Sequence, residues 1–103
     1  MSQANKGVSP IVFEVIRNRL VAITDEMRVA LQSVSGSLTV TEASDFFTGL
    51  FTADGAVASM GFQVAYQAPV CGAFIRRIKS RPKVIVGPED MFIGNAPYVA
   101  ALH

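Results

Sequence analysis

Ser9-Pro10-Ile11-Val12-Phe13-Glu14-Val15-Ile16-Arg17-Asn18-Arg19-Leu20, continued to Ser35-Gly36-Ser37, is the stretch from which the fold is read. Ser9 before Pro10 is an N-cap followed by proline at the first helical position, where its missing N–H is one of the helix's orphans anyway. Val12, Ile16, Leu20, Ile23, Met27, Leu31 and Val34 then recur at spacings of three and four. That is one apolar face of a helix over residues 10–33. Arg17, Arg19, Thr24, Asp25, Arg28 and Gln32 fall mostly on other faces. Glu14–Arg17 and Asp25–Arg28 are i,i+3 pairs, each worth roughly a few tenths of a kcal/mol at a surface. Gly36 is the expected left-handed cap. Ile11, Phe13, Val15, Val21 and Val29 widen the stripe beyond one face. A helix of this kind is either buried in a core or shared with another domain or subunit.

Outward from this helix, residues 1–8 read as a polar tail without the apolar run of a signal peptide. On the other side, residues 38–40 are a short β-branched run, and Thr41-Glu42-Ala43-Ser44-Asp45 is polar. Residues 46–52 are rich in aromatics and threonine and read as a strand. Ala53-Asp54-Gly55 is a three-residue hairpin loop with Gly55 left-handed, and residues 56–60 are the return strand. Residues 61–67 read as extended. Ala68-Pro69 opens a second helix with Val70, Cys71, Phe74, Ile75 and Ile78 on its buried side. Arg76, Arg77, Lys79, Arg81 and Lys83 form a basic run that suits a helix C-terminus, or a phosphate or acidic partner. Pro82 stops the helix, residues 83–86 are a short strand or linker, and Gly87-Pro88-Glu89-Asp90 turns the chain into an apolar strand at residues 91–93.

The 103 residues fit one small domain of α+β class, a long N-terminal helix on a small, mostly antiparallel sheet with a second short helix. Half of the residues are apolar and 17% are charged. A small domain has much surface per volume, so part of this apolar surface is expected to be covered by more chain or by a partner. A net charge of +1 makes no electrostatic case for nucleic acid or for an acidic membrane. The chain has no apolar run long enough to span a bilayer. The single cysteine, Cys71, excludes an internal disulfide framework and suits a reducing compartment, so the expected location is the cytoplasm. One histidine and one cysteine cannot build a zinc finger. No GxxxxGK[ST], GxGxxG or GxSxG motif is present.

Four blocks, in order, resemble subunits of the hydantoinase B/oxoprolinase family. Residues 13–20 look like the family's opening helix. Glu42, Asp45, Phe46, Leu50, Phe51, Asp54 and Gly55 match its acid-bearing loop, strand and Asp-Gly turn. Gly87-Pro88-Glu89-Asp90 is similar to its Pro-Gly-Asp turn. Asn95, Pro97, Tyr98 and His103 match its Asn-Asp-Pro-Tyr, small-residue run and histidine. Two departures stand out. Ala96 occupies the position of the family's aspartate, and Gln63, Tyr66 and Gln67 occupy the stretch after the hairpin where members often carry a histidine.

The resemblance implies the N-terminal piece of a larger subunit, either a truncated product or a small paralogue. It implies work with a separate hydantoinase A-like subunit that binds and uses ATP, on small cyclic amides or ketones, in an oligomeric assembly. It makes Glu42, Asp45 and Asn95 the candidate catalytic residues and His103 a candidate ligand of a divalent metal. Read as structure alone, Glu42 and Asp45 are loop acids that satisfy backbone donors before a strand. The rival reading is a non-catalytic interaction module that assembles through its apolar helix.

Overall fold

α1 runs Pro10–Val34 and begins as the sequence requires, with Ser9 Oγ accepting from the Val12 N–H at 3.2 Å. The structure, a computed structural model, describes residues 7–61 and 65–98. Glu14–Arg17 and Asp25–Arg28 form the two expected ion pairs at 3.0 and 2.9 Å. The helix ends differently from expectation. Ser35 caps it in an extended conformation and donates its N–H to Leu31 O, and Gly36 is not left-handed. The Ser35 hydroxyl accepts the Ser37 N–H, so the stop needs no glycine.

The β-branched run that follows is not extended. Leu38–Thr41 forms α2, one helical turn, because four residues can satisfy their backbone locally when no neighbouring strand is available. The hairpin is present but shorter than the sequence suggested. β1 (Gly49–Phe51) pairs antiparallel with β2 (Val57–Met60), Leu50 opposite Ser59, with a bulge between Leu50 and Phe51. The loop is the expected one. Gly55 has φ +87°, Thr52 N–H donates to Ala56 O at 2.8 Å, and the Thr52 hydroxyl bonds the Asp54 carboxylate. Residues 61–67 do not read as extended where they are described. Ala65–Gln67 is a 3-10 turn that leads into α3 (Ala68–Lys79).

The hairpin is fastened to α1 by hydroxyls. Thr24, placed off the apolar face by the sequence pattern, is the most buried side chain described, at 0% exposure. Its Oγ1 bonds Val21 O at 2.8 Å and shares a hydrogen bond with Ser59 Oγ at 3.3 Å. Thr48 Oγ1 donates to Thr24 O at 3.2 Å. A mid-helix threonine can be buried in this way because its own i−3 carbonyl accepts its proton. On the other side of the hairpin, α3 meets the turn backbone to backbone. A Cβ on Gly72 would lie 2.5 Å from Gly55 O. Arg76 and Lys79 of α3 donate to the turn carbonyls of Gly55 and Ala53, at 3.5 and 2.6 Å.

Phe46 and Ala68 are the buried apolar residues among those described. Ile11, Val15, Ile16 and Val34 of α1 are between 50 and 82% exposed. The chain's accessible surface is 7985 Å², against about 5,600 Å² for a compact monomer of this mass by the usual scaling. Large apolar side chains thus stand exposed on α1 and on the segment after α3.

The segment after α3 decides between the two readings of residues 83–86, which form a linker and no strand. It corrects the other expectation, since residues 91–93 form no strand, and Met91 is 95% and Ile93 100% exposed. A strand needs a partner for its backbone, and the only sheet among the described residues has two strands. The turn before it does form, with Asp90 Oδ2 accepting the Gly87 N–H at 2.6 Å.

Candidate functional site

Glu42 and Asp45 lie on one loop, and α1 holds that loop in place. Asp25 anchors Arg28 at 2.9 Å, Arg28 Nη1 donates to Gln32 Oε1 at 3.2 Å, and Gln32 Nε2 donates to Thr41 O and Ser44 Oγ at 3.2 and 3.3 Å. Ser44 takes φ +52°, a left-handed conformation uncommon for serine. That bend turns the chain so that Phe46 enters the core directly after Asp45. Asp45 N–H donates to Thr39 O at 3.0 Å, which ties the loop back onto α2. Glu42 is exposed at the C-terminal end of α2, while Asp45 is half-buried. A relay of polar side chains thus holds the backbone of the loop that carries the two carboxylates.

Gln32 and Ser44 were not singled out from the sequence. Glutamine on the polar side of an amphipathic helix reads as solvated, and nothing local marks the loop it reaches nine and twelve residues on. Asn95 is exposed on the irregular segment after α3. His103 lies outside the described residues, as does Gln63. Among the described residues, no three of His, Cys, Asp and Glu come together in a way that could hold a metal ion. The described carboxylates therefore do not by themselves make a metal centre.

Two titrations are set by local structure. The Thr52 hydroxyl, with turn N–H groups, holds the Asp54 carboxyl below its ordinary value, consistent with a purely turn-forming role. Burial raises the Cys71 thiol, which keeps it protonated and a weak nucleophile at neutral pH. All five side chains of the basic run are exposed, and Arg76 and Lys79 also bond the hairpin turn. No helix among the described residues is long and apolar enough to cross a membrane.

The sequence that builds these elements matches a known family. The family description "Hydantoinase B/oxoprolinase" matches residues 9–103. The chain belongs to the hydantoinase B/oxoprolinase family. Among curated proteins it is similar to "Uncharacterized protein C11D3.14c" of Schizosaccharomyces pombe, 24% identical over 102 residues. That match covers 96% of this chain and 8% of the relative, so the chain spans under a tenth of the relative's length. No solved structure matches. In this hydantoinase B/oxoprolinase chain, α1 clamps the loop that carries Glu42 and Asp45. The apolar face of that same helix is exposed.

Proposed function

We propose that this chain is the N-terminal part of a hydantoinase B/oxoprolinase-type subunit. It acts with a hydantoinase A-like, ATP-using partner in hydrolysis of small cyclic amides or carboxylation of ketones. In this reading the partner holds ATP and activates a carbonyl or enol by phosphorylation. The loop carrying Glu42 and Asp45 faces the polar substrate, where a carboxylate can orient it or accept a proton from an attacking water. Asn95 and His103 are the further candidates that the resemblance supplies, with His103 a ligand if a divalent metal takes part. The supporting observation is the α1 clamp, which fixes two acids of the family's pattern on one loop. Ala96, standing where the family has aspartate, removes one carboxylate from that set.

The chain is expected to be inactive alone. Reconstituted with the ATP-using subunit, it should give substrate-dependent ATP hydrolysis, lowered by Asp45→Asn, Glu42→Gln and His103→Ala. Ala96→Asp should raise it. Turnover unchanged in all four variants would end the catalytic reading.

The exposed face of α1 supports a second reading, a non-catalytic interaction module of the same family. Calorimetric titration with a divalent metal separates the two, since tight binding that His103→Ala removes is expected only of the first.

A further inference from the structure

α1 carries a second pattern inside its wide stripe. Phe13, Leu20, Met27 and Val34 recur every seven residues, and Ile16, Ile23 and Ala30 recur every seven between them. Together they alternate at spacings of three and four over three heptads, which is the seam of a coiled coil. The structure leaves this seam open. Phe13, Ile16 and Ile23 are 50, 50 and 41% exposed, and Val34 is 82% exposed. The hairpin sits to one side of it, against Thr24, on the flank that also carries Arg17 and Leu31. The opposite flank carries Val12, Arg19, Glu26 and Ser33 and is exposed throughout.

That open flank specifies a partner. In an antiparallel pair of α1 helices with Leu20 opposite Ile23, Phe13 meets Ala30 and Ile16 meets Met27. The same register sets Arg19 of each helix beside Glu26 of the other, twice by symmetry. In a parallel pair Arg19 would meet Thr24, which is buried under the hairpin, and Glu26 would meet Leu31. The charges therefore favour the antiparallel arrangement, and a helix is complementary to its own copy only in that sense.

We propose that two copies of this chain associate through α1 as an antiparallel two-helix coiled coil, with reciprocal Arg19–Glu26 pairs fixing direction and register. The seam is distinct from the Glu42–Asp45 loop, which hangs from Gln32 on the hairpin side of the helix.

The test is light scattering on the 103-residue chain over a range of concentrations, with charge-reversed variants at exposed positions that leave the seam intact. A dimer of twice 11.0 kDa is expected. Arg19→Glu and Glu26→Arg should each weaken it by about tenfold, by placing like charges together twice. The double variant Arg19→Glu/Glu26→Arg should return to near the original affinity. Circular dichroism of each variant checks that α1 is intact. A chain that stays monomeric at 100-fold dilution and at high concentration alike overturns the proposal. So does a dimer indifferent to both single reversals. If the monomer is instead covered only on co-expression with further polypeptide of a family subunit, the seam belongs to that polypeptide and the proposal fails.

Discussion

Replacing Gly72 by alanine sets two effects of opposite sign against each other. In the interior of an exposed helix, alanine is favoured over glycine by about 1 kcal/mol. At this position the added methyl would stand 2.5 Å from Gly55 O and 3.6 Å from Gly55 C. Carbon contacts become attractive only near 3.5–4.0 Å, so roughly 1 Å of separation has to be found. The obstacle is backbone. It sits in a turn whose φ of +87° is held by the Thr52–Gly55 and Thr52–Ala56 hydrogen bonds, so it cannot swing aside as a side chain would. The hairpin tip must lift off α3, which also stretches the Lys79–Ala53 and Arg76–Gly55 bonds. Overpacking of this kind costs about 1–3 kcal/mol. Set against the propensity gain, the expected outcome is no gain in stability and a net loss of up to about 2 kcal/mol. Urea denaturation followed by helix dichroism measures it, and amide exchange at Gly55 and Ala56 shows whether the turn has lifted. Gly36→Ala is the control. Its Cβ would meet nothing within 4 Å, and its φ is not positive, so stability should hold or rise by about 0.4–1 kcal/mol. A Gly72→Ala chain more stable than the original by the propensity difference would refute the close approach of turn and helix.

Three other outcomes follow from the same geometry. Gln32→Leu removes both bonds to the 41–44 loop and should cost about 1–2 kcal/mol while speeding amide exchange at Asp45, whereas Ser33→Ala, one residue on, should leave that exchange unchanged. Asp54 titrates below its ordinary 3.8 when folded, so its share of turn stability is full above that value and is lost as pH falls through the lowered one. NMR of the Gly55 and Ala56 amides across pH 2–6 (about the carboxylate range) should show this, and Asp54→Asn should flatten the profile. Cys71 should react with a disulfide reagent more slowly in the folded chain than in urea at pH 8 (roughly the range where free thiols begin to ionise), and equal rates would contradict its burial.

The parts of the fold that were legible in the sequence are those with a local cause. Ser9-Pro10 and the three-four spacing place α1, Asp54-Gly55 places the hairpin loop, and Ala68-Pro69 opens α3. What was not legible depends on distant chain. Leu38–Thr41 has strand-forming residues yet closes as a helical turn, and residues 91–93 have strand composition yet do not join the two-stranded sheet. Thr24 misled for a related reason, since a threonine among charged residues looks exposed until Ser59 and Thr48 arrive from the hairpin to cover it. In the site, the acids of the loop were visible and the clamp that holds them was not. Periodicity reports which face a glutamine occupies and says nothing of the backbone carbonyl it will find.

The hydroxyl fastening of the hairpin to α1 has a thermal consequence. Attachment that rests on buried apolar area carries a large heat-capacity change and weakens on cooling. Thr24, Thr48 and Ser59 join the two elements mainly through polar atoms, whose hydration contributes to heat capacity with the opposite sign. The strength of this joint should therefore vary little with temperature near freezing. The apolar contacts that α1 makes with whatever covers it will weaken there. Chilling is then a way to strip the helix of its cover while the hairpin stays on.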